Sequence, residues 1–151
     1  MEVNIRIMEK DDIDFCSKIV TELLNEPEDV TSETLKAYHE DQQKNSLILL
    51  VEVDGKRVGF AGILIEGCNS IGNIEWIGII EQYHHKRIGS KLLSKLVDFA
   101  KKKRVRKIYV DAAVDNLNAI AFYIKNKFYP EAVLREYYLN GKDALKMAYK
   151  F

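Results

Sequence analysis

Residues Ile74–Leu93, IEWIGIIEQYHHKRIGSKLL, decide how the chain is read. An apolar run carrying one carboxylate, Glu75, precedes a short polar, basic loop, and the loop leads straight into helical spacing. From Ile88 onward, Leu92, Leu93, Leu96, Val97 and Ala100 form one face, while Lys91, Ser94, Lys95, Asp98 and Lys101 point elsewhere. The segment therefore predicts a strand, an anion-binding loop and a helix. The first N–H groups of a helix lack intrahelical partners and the helix dipole is positive there, so phosphates bind without a dedicated side chain. Gly78 interrupts the strand. Such a glycine marks a bulge, marks a close approach by another backbone or a ligand, or is merely tolerated.

Downstream, Lys107–Val114 (KIYVDAAV) predicts a strand, so strand, helix and strand form a right-handed crossover with parallel strands. Asn116–Asn126 predicts a helix with Asp115 or Asn116 near its cap. Tyr129–Tyr138 and Ala144–Tyr149 predict the last strands, turned by Asn140-Gly141. Upstream, Val3, Ile5 and Ile7 alternate with Asn4 and Arg6, a strand pattern over Val3–Met8. Asp11 or Asp12 then caps a helix with Ile13, Ile19, Val20, Leu23 and Leu24 at helical spacing, ending at Pro27. A more polar helix follows from Thr31 or Ser32 to about Lys44. Ser46–Val53 and Arg57–Glu66 form a hairpin through Asp54-Gly55, and Asn73 to about Ile80 forms the fourth strand. The order is β-α-α-β-β-β-α-β-α-β-β, an α/β chain.

Length and composition, 151 residues with 47% hydrophobic and 30% charged, predict one domain over residues 1–151. The 23 basic and 23 acidic side chains cancel, so no overall field draws the protein to nucleic acid or an anionic membrane. The cations of KKKRVRK, Lys101–Lys107, suit the negative end of a helix dipole, and they lack the interleaved aromatics of a nucleic-acid surface. Cys16 and Cys68 have neither metal-ligand spacing nor the density of a disulfide framework. His84 and His85, with His39 the third histidine, fall short of a convergent donor set, so no metal is expected. The start MEVNIRIMEKDD lacks signal-peptide character and no apolar run approaches eighteen residues. A soluble cytoplasmic protein, monomer or homodimer, is expected.

The loop His84-His85-Lys86-Arg87-Ile88-Gly89 and the later run Asn116, Ala119, Tyr123 and Phe128 resemble two motifs of the GCN5-related N-acetyltransferases. The resemblance spans nearly the full length. In that family the loop reads Gln/Arg-x-x-Gly-x-Gly/Ala and holds the CoA pyrophosphate. Here Gly89 matches in full, His84 stands in the Gln/Arg place, and Arg87 replaces the first glycine. A glycine there removes Cβ and permits unusual φ values. Lys86 and Arg87 supply charge that glycine cannot. In the second motif Lys127 takes the place of a glycine before Phe128. The resemblance implies a mixed, mostly antiparallel central sheet with a parallel βαβ at strands 4 and 5 and helices on both faces. It implies acetyl-CoA as co-substrate, with no metal. It places that molecule against Ile77, Gly78 and Ile79, against His84, His85, Lys86, Arg87, Ile88, Gly89 and Ser90, and against Asn116, Ala119 and Tyr123.

By the same resemblance Tyr123 gives its hydroxyl proton to the departing CoA thiolate. A thiolate leaves more readily when a nearby O–H bonds to it or protonates it. The other reading is an ordinary core aromatic. An ammonium has no lone pair and must lose a proton before attack, and Glu75 is the candidate base. Burial beside Trp76 and Ile77 would raise its pKa to a useful value. An edge-facing, solvated Glu75 is the other reading, and Asn73 falls where other members keep a glutamate. N–H groups around Gly78 and Ile79 would hold the thioester oxygen if Gly78 marks a bulge. Neither cysteine has a local base partner, which leaves direct transfer in a ternary complex as the simpler mechanism. The closing stretch, Tyr137-Tyr138 and then Asp143-Ala144-Leu145-Lys146-Met147, looks like the branch that acetylates protein N-termini, including ribosomal proteins. There the tyrosine pair helps to bind the peptide. A protein or peptide α-amine is therefore the expected acceptor, with a polyamine, an amino sugar or an amino acid as the alternative. A CoA-sensing module without catalysis is a further reading, supported by Arg87.

Overall fold

Ser46–Val53 is apolar at nearly every position because it is buried on both faces. Leu47, Leu49, Val51 and Val53 enter one core, while Ile48 and Leu50 enter another. The computed structural model describes residues 1–24 and 27–151. Its strands are β1 (Val3–Ile7), β2 (Ser46–Val53), β3 (Lys56–Glu66), β4 (Ile71–Ile79), β5 (Lys107–Ala113), β6 (Tyr129–Leu134) and β7 (Ala144–Lys150). Its helices are α1 (Ile13–Leu24), α2 (Glu28–Glu40), α3 (Ile88–Lys102) and α4 (Leu117–Lys125), with short 3-10 turns at Lys10–Asp12 and Glu81–Tyr83. The seven strands form one sheet in the order β1-β2-β3-β4-β5-β7-β6. Only the β4–β5 pair is parallel. This is the mixed, mostly antiparallel sheet expected from the sequence.

The helices divide between the two faces. From α3, Ile88, Leu92, Leu93, Leu96 and Ala100 pack with Ala61, Ile63, Ile74, Ile108, Val110 and Met147, and Tyr123 of α4 joins them. On the opposite face Ile13, Cys16, Ile19 and Val20 of α1 and Leu35 of α2 pack with Phe60 and Trp76. Asp12 is buried just before α1, yet fully partnered. Arg6 approaches it at 2.7 and 3.0 Å, Arg57 at 3.0 Å, and the Glu9 N–H donates at 2.8 Å. Burial pushes this carboxyl up, but the Arg6 bonds and the Glu9 N–H outweigh it, and the net shift is below the usual carboxylate range.

Several boundaries differ from expectation. The part of the first helix expected beyond Leu24 lies outside the described residues. The second helix starts at Glu28, earlier than Thr31, because Pro27 sits at its N-cap position with a φ of −61° that suits a helix start. It ends at Glu40, not near Lys44. The sixth strand stops at Leu134, short of Tyr138. Glu136 takes a φ of +50°, which turns the chain out of the strand, so Tyr137 and Tyr138 lie in the connection to β7. The Asp54-Gly55 turn has the positive φ values, 49° and 81°, that its composition predicts.

Candidate active site

The site begins where two strands part. β4 and β5 pair only at Ile71–Asn73 with Lys107–Tyr109, and their remaining residues are not bonded to each other. A bulge in β4 bends it there. Ile63 of β3 faces Ile74 and the preceding Gly62 faces Trp76, so Glu75 is the extra residue. A bulge sharpens local twist and redirects side chains. Ile74 accordingly enters the α3 core while Trp76, two residues on, enters the α1 core.

A bulge at Gly78 was one of three readings of that glycine, and the structure places the bulge at Glu75 instead. Gly78 pairs in register with Phe60. Its missing Cβ makes room for α1, since a Cβ would stand 2.9 Å from Ile19 Cγ2. A neighbouring side chain, not a ligand, explains the glycine. The direction of this strand's main-chain groups follows from its pairing with β3. The Ile80 N–H bonds to Val58 of β3, and strand alternation then turns the main-chain groups of Ile77 and Ile79 toward the gap. The Ile79 carbonyl accepts from His84 Nε2 at 2.7 Å, which ties the following loop to the strand end.

A cavity of about 70 Å³ opens in this gap, lined by Ile74, Glu75, Trp76, Ile77, Val110, Asp111 and Tyr123. One water needs about 10–15 Å³ of such space, so the cavity has room for several small groups. Tyr123 reaches it from α4, which is closed at both ends by its own chain. The Asn116 carboxamide oxygen accepts from the Ala119 N–H at 3.2 Å. At the other end Phe128 N–H bonds to Tyr123 C=O at 2.9 Å and Lys127 N–H to Ile124 C=O at 3.0 Å, with Lys127 left-handed at φ 72°. This paired closure brings the Phe128 and Tyr123 rings to 5.7 Å. Tyr123 is 5% exposed. Burial raises its phenol pKa first, and the neighbouring Tyr138 and Asp111 raise it further, so the hydroxyl keeps its proton at neutral pH.

Glu75 lines the cavity, but it is exposed, so the burial argument for a raised carboxyl pKa does not hold. The bulge carries it to the α2 side of the sheet, where burial and then its charge push the Tyr38 phenol up to about 12. Asp111 was missed by the sequence reading. Asp111 lines the cavity that holds Tyr123, and its buried Oδ1 has no hydrogen-bond partner. Lys146 Nζ lies 3.1 Å from that oxygen, an ion pair by distance whose approach is off the axis of a hydrogen bond. The signal was available, since Asp111 is a lone carboxylate within an apolar strand, the same kind of signal that selected Glu75.

The phosphate loop lies at the start of α3. Arg87 occupies the N-cap in the left-handed region, φ 62°, and no side chain caps the helix. His85 is also left-handed at φ 61°. His84, His85, Lys86 and Arg87 are all exposed, Ser90 is half-buried, and Ile88 is buried in the core. Uncapped N–H groups beside Lys86 and Arg87 fit a pyrophosphate. Gly89 serves packing as well, since a Cβ there would stand 3.2 Å from the Phe122 ring of α4. Asn116 is exposed and Ala119 packs against the α3 core. Tyr137 and Tyr138 stack edge to face at 5.1 Å in the β6–β7 connection, and Tyr138 is near enough to raise the Tyr123 phenol. Among the described residues no three His, Cys, Asp or Glu side chains gather as for a metal, and no helix is long and apolar enough to cross a membrane.

A strand splayed from its parallel neighbour, a buried tyrosine at the gap and an uncapped, basic helix start define an acyl-CoA-dependent transferase. Residues 16–128 match the model of the Acetyltransferase (GNAT) family. The chain belongs to that family and is an N-acetyltransferase that uses acetyl-CoA, which sets aside the reading as a CoA sensor without catalysis. It is 32% identical over 118 residues to an N-alpha-acetyltransferase of Sulfurisphaera tokodaii, covering 71% of each chain. It is 30% identical over 145 residues to a Bacillus subtilis protein named provisionally as a [ribosomal protein bS18]-alanine N-acetyltransferase, covering 95% of this chain and 92% of that one. Its fold matches the crystal structure of Ard1 from Thermoplasma volcanium with a TM-score of 0.88, at 22% identity, over 99% of this chain and 98% of that one.

Proposed function

We propose that the enzyme transfers the acetyl group of acetyl-CoA to the α-amine of a protein N-terminus, by direct attack within a ternary complex. The observation that carries this reading is the single cavity that holds Tyr123 and two carboxylates, Asp111 and Glu75, at the parting of β4 and β5. Asp111 suits the base better than Glu75, because it is the less exposed of the two and lines the cavity beside Tyr123. Glu75, at the open side, receives the acceptor ammonium and orders water between it and the site. The Ile77 and Ile79 N–H groups stabilise the developing thioester oxyanion. Tyr123 then donates a hydrogen bond to the departing thiolate. Its raised pKa keeps that proton in place until the leaving group develops charge. The pyrophosphate rests on the α3 start through His84, His85, Lys86, Arg87, Ile88, Gly89 and Ser90, while Asn116 and Ala119 flank the pantetheine.

The acceptor class is supported by the two relatives, whose names describe acetylation of α-amines or of a ribosomal protein's alanine. Tyr137 and Tyr138, in the β6–β7 connection, would clasp the first residues of the peptide. Mass spectrometry of reactions with acetyl-CoA and peptides of varied first residue tests this. Acetylation confined to the α-amine of particular N-terminal residues is expected. Turnover of polyamines, amino sugars or amino acids in preference to every peptide would refute the acceptor.

A further inference from the structure

Lys146 brings an amine of the protein itself to the carboxylate assigned as base. It faces Asp111 in the β5–β7 register, and its Nζ stands 3.1 Å from the buried Oδ1 of that cavity-lining residue. The contact is loose, because it lacks hydrogen-bond alignment. The same Nζ rests 4.8 Å from the centre of the Tyr109 ring. Lys107 lies over that ring at the same distance but is committed to Glu131 of β6 at 2.8 Å. Lys146 has no partner of that quality, and its side chain is only 24% exposed. Its ammonium thus occupies the kind of place that an acceptor ammonium must reach.

We infer that Lys146 is a self-acetylation site, modified by acetyl-CoA bound to the same chain when no acceptor fills the cavity. This rests on the reading of Asp111 as base. The Lys146 ammonium gives one proton to Asp111, and the freed lone pair attacks the thioester carbonyl. The new N–C bond forms and the C–S bond breaks. A second N–H proton goes to the thiolate through the Tyr123 hydroxyl, and Asp111 releases the first to solvent. The products are acetyl-lysine, CoA thiol and one proton. Proximity favours the step, since the amine is held beside the site and needs no encounter. The product is neutral, so the pairing with Asp111 and the cation–ring contact with Tyr109 are both lost.

The test is incubation of the full chain with acetyl-CoA alone, followed by intact-mass and tandem mass spectrometry, with peptide acceptors assayed in parallel. One acetyl group at Lys146 is expected, its appearance slowed by a saturating peptide acceptor. It should be absent from Lys146→Arg, and at least tenfold slower in Asp111→Asn, while calorimetry still detects CoA binding to the latter. Acceptor protection requires no variant, so the inference stays testable if Asp111→Asn misfolds. Peptide turnover without any acetyl at Lys146 overturns this inference and spares the proposed function. Equal labelling of the exposed Lys101 and Lys102, unaffected by acceptor, reduces the modification to solution chemistry and overturns it too. Neither peptide turnover nor Lys146 labelling would sink both.

Discussion

α3 and α4 pack into the same core and have ends built on opposite plans. α4 is closed by its own residues, through the Asn116 cap, the paired bonds at Lys127 and Phe128, and the ring contacts around Tyr123. α3 begins with no side-chain cap, an exposed basic loop and a left-handed arginine. Closure fixes a reacting group within tight limits, whereas openness leaves N–H groups for a ligand's phosphates. Both helices also place a charged residue where the family keeps glycine, Arg87 at φ 62° and Lys127 at φ 72°. The same backbone cost therefore falls on an exposed basic loop in one case and on a structural closure in the other.

The largest expected effect lies on the closed helix. Tyr123→Phe should lower kcat about 10²-fold or more, the range for loss of a general acid. CoA affinity measured by calorimetry should stay unchanged. A matching loss of CoA affinity would show that Tyr123 acts through cofactor packing instead. Asp111→Asn should cost a similar factor in kcat, and Glu75→Gln distinctly less, in steady-state assays at saturating acetyl-CoA. The reverse order would return the base to Glu75.

The two left-handed residues sharpen the comparison further. Arg87→Gly and Lys127→Gly should each raise thermal stability by about 1 kcal/mol, because glycine adopts positive φ without the Cβ penalty. Their effects on the cofactor should diverge. Arg87→Gly should weaken CoA binding and flatten its salt dependence, since a phosphate-facing charge is lost. Lys127→Gly should leave both unchanged. If both variants altered CoA affinity equally, the distinction between the open start of α3 and the closed end of α4 would fail.

The smallest effect is in pH. The Tyr123 phenol has a folded pKa above its unfolded value of about 10, so the folded state holds the proton more tightly and stability falls as pH rises beyond about 10. Alkaline melting curves of Tyr123→Phe should therefore decline less steeply than those of the parent chain.

Much of this was legible in the residues. Alternation and helical spacing announced the order of elements, and Asp54-Gly55 announced its turn, because these depend on local φ preferences and on a two-sided division of apolar side chains. The end of β6 was not legible. Tyr129–Tyr138 carries β-prone residues throughout, and only the positive φ at Glu136 takes the tyrosine pair out of the strand. The site of the bulge was not legible, because glycine is its usual marker, whereas here Glu75 is the inserted residue and Gly78 answers to Ile19.

What the sequence determined by itself is the pattern of local structure and the pairing of a basic loop with a helix start between Ile74 and Leu93. What only the tertiary structure decided is which polar groups share the cavity. Asp111 and Tyr123 meet there because β5 parts from β4 after Tyr109 and α4 folds back over the gap. Such proximity is set by the bend of a strand and the packing of two cores, and neither leaves a signature in the spacing of residues along the chain.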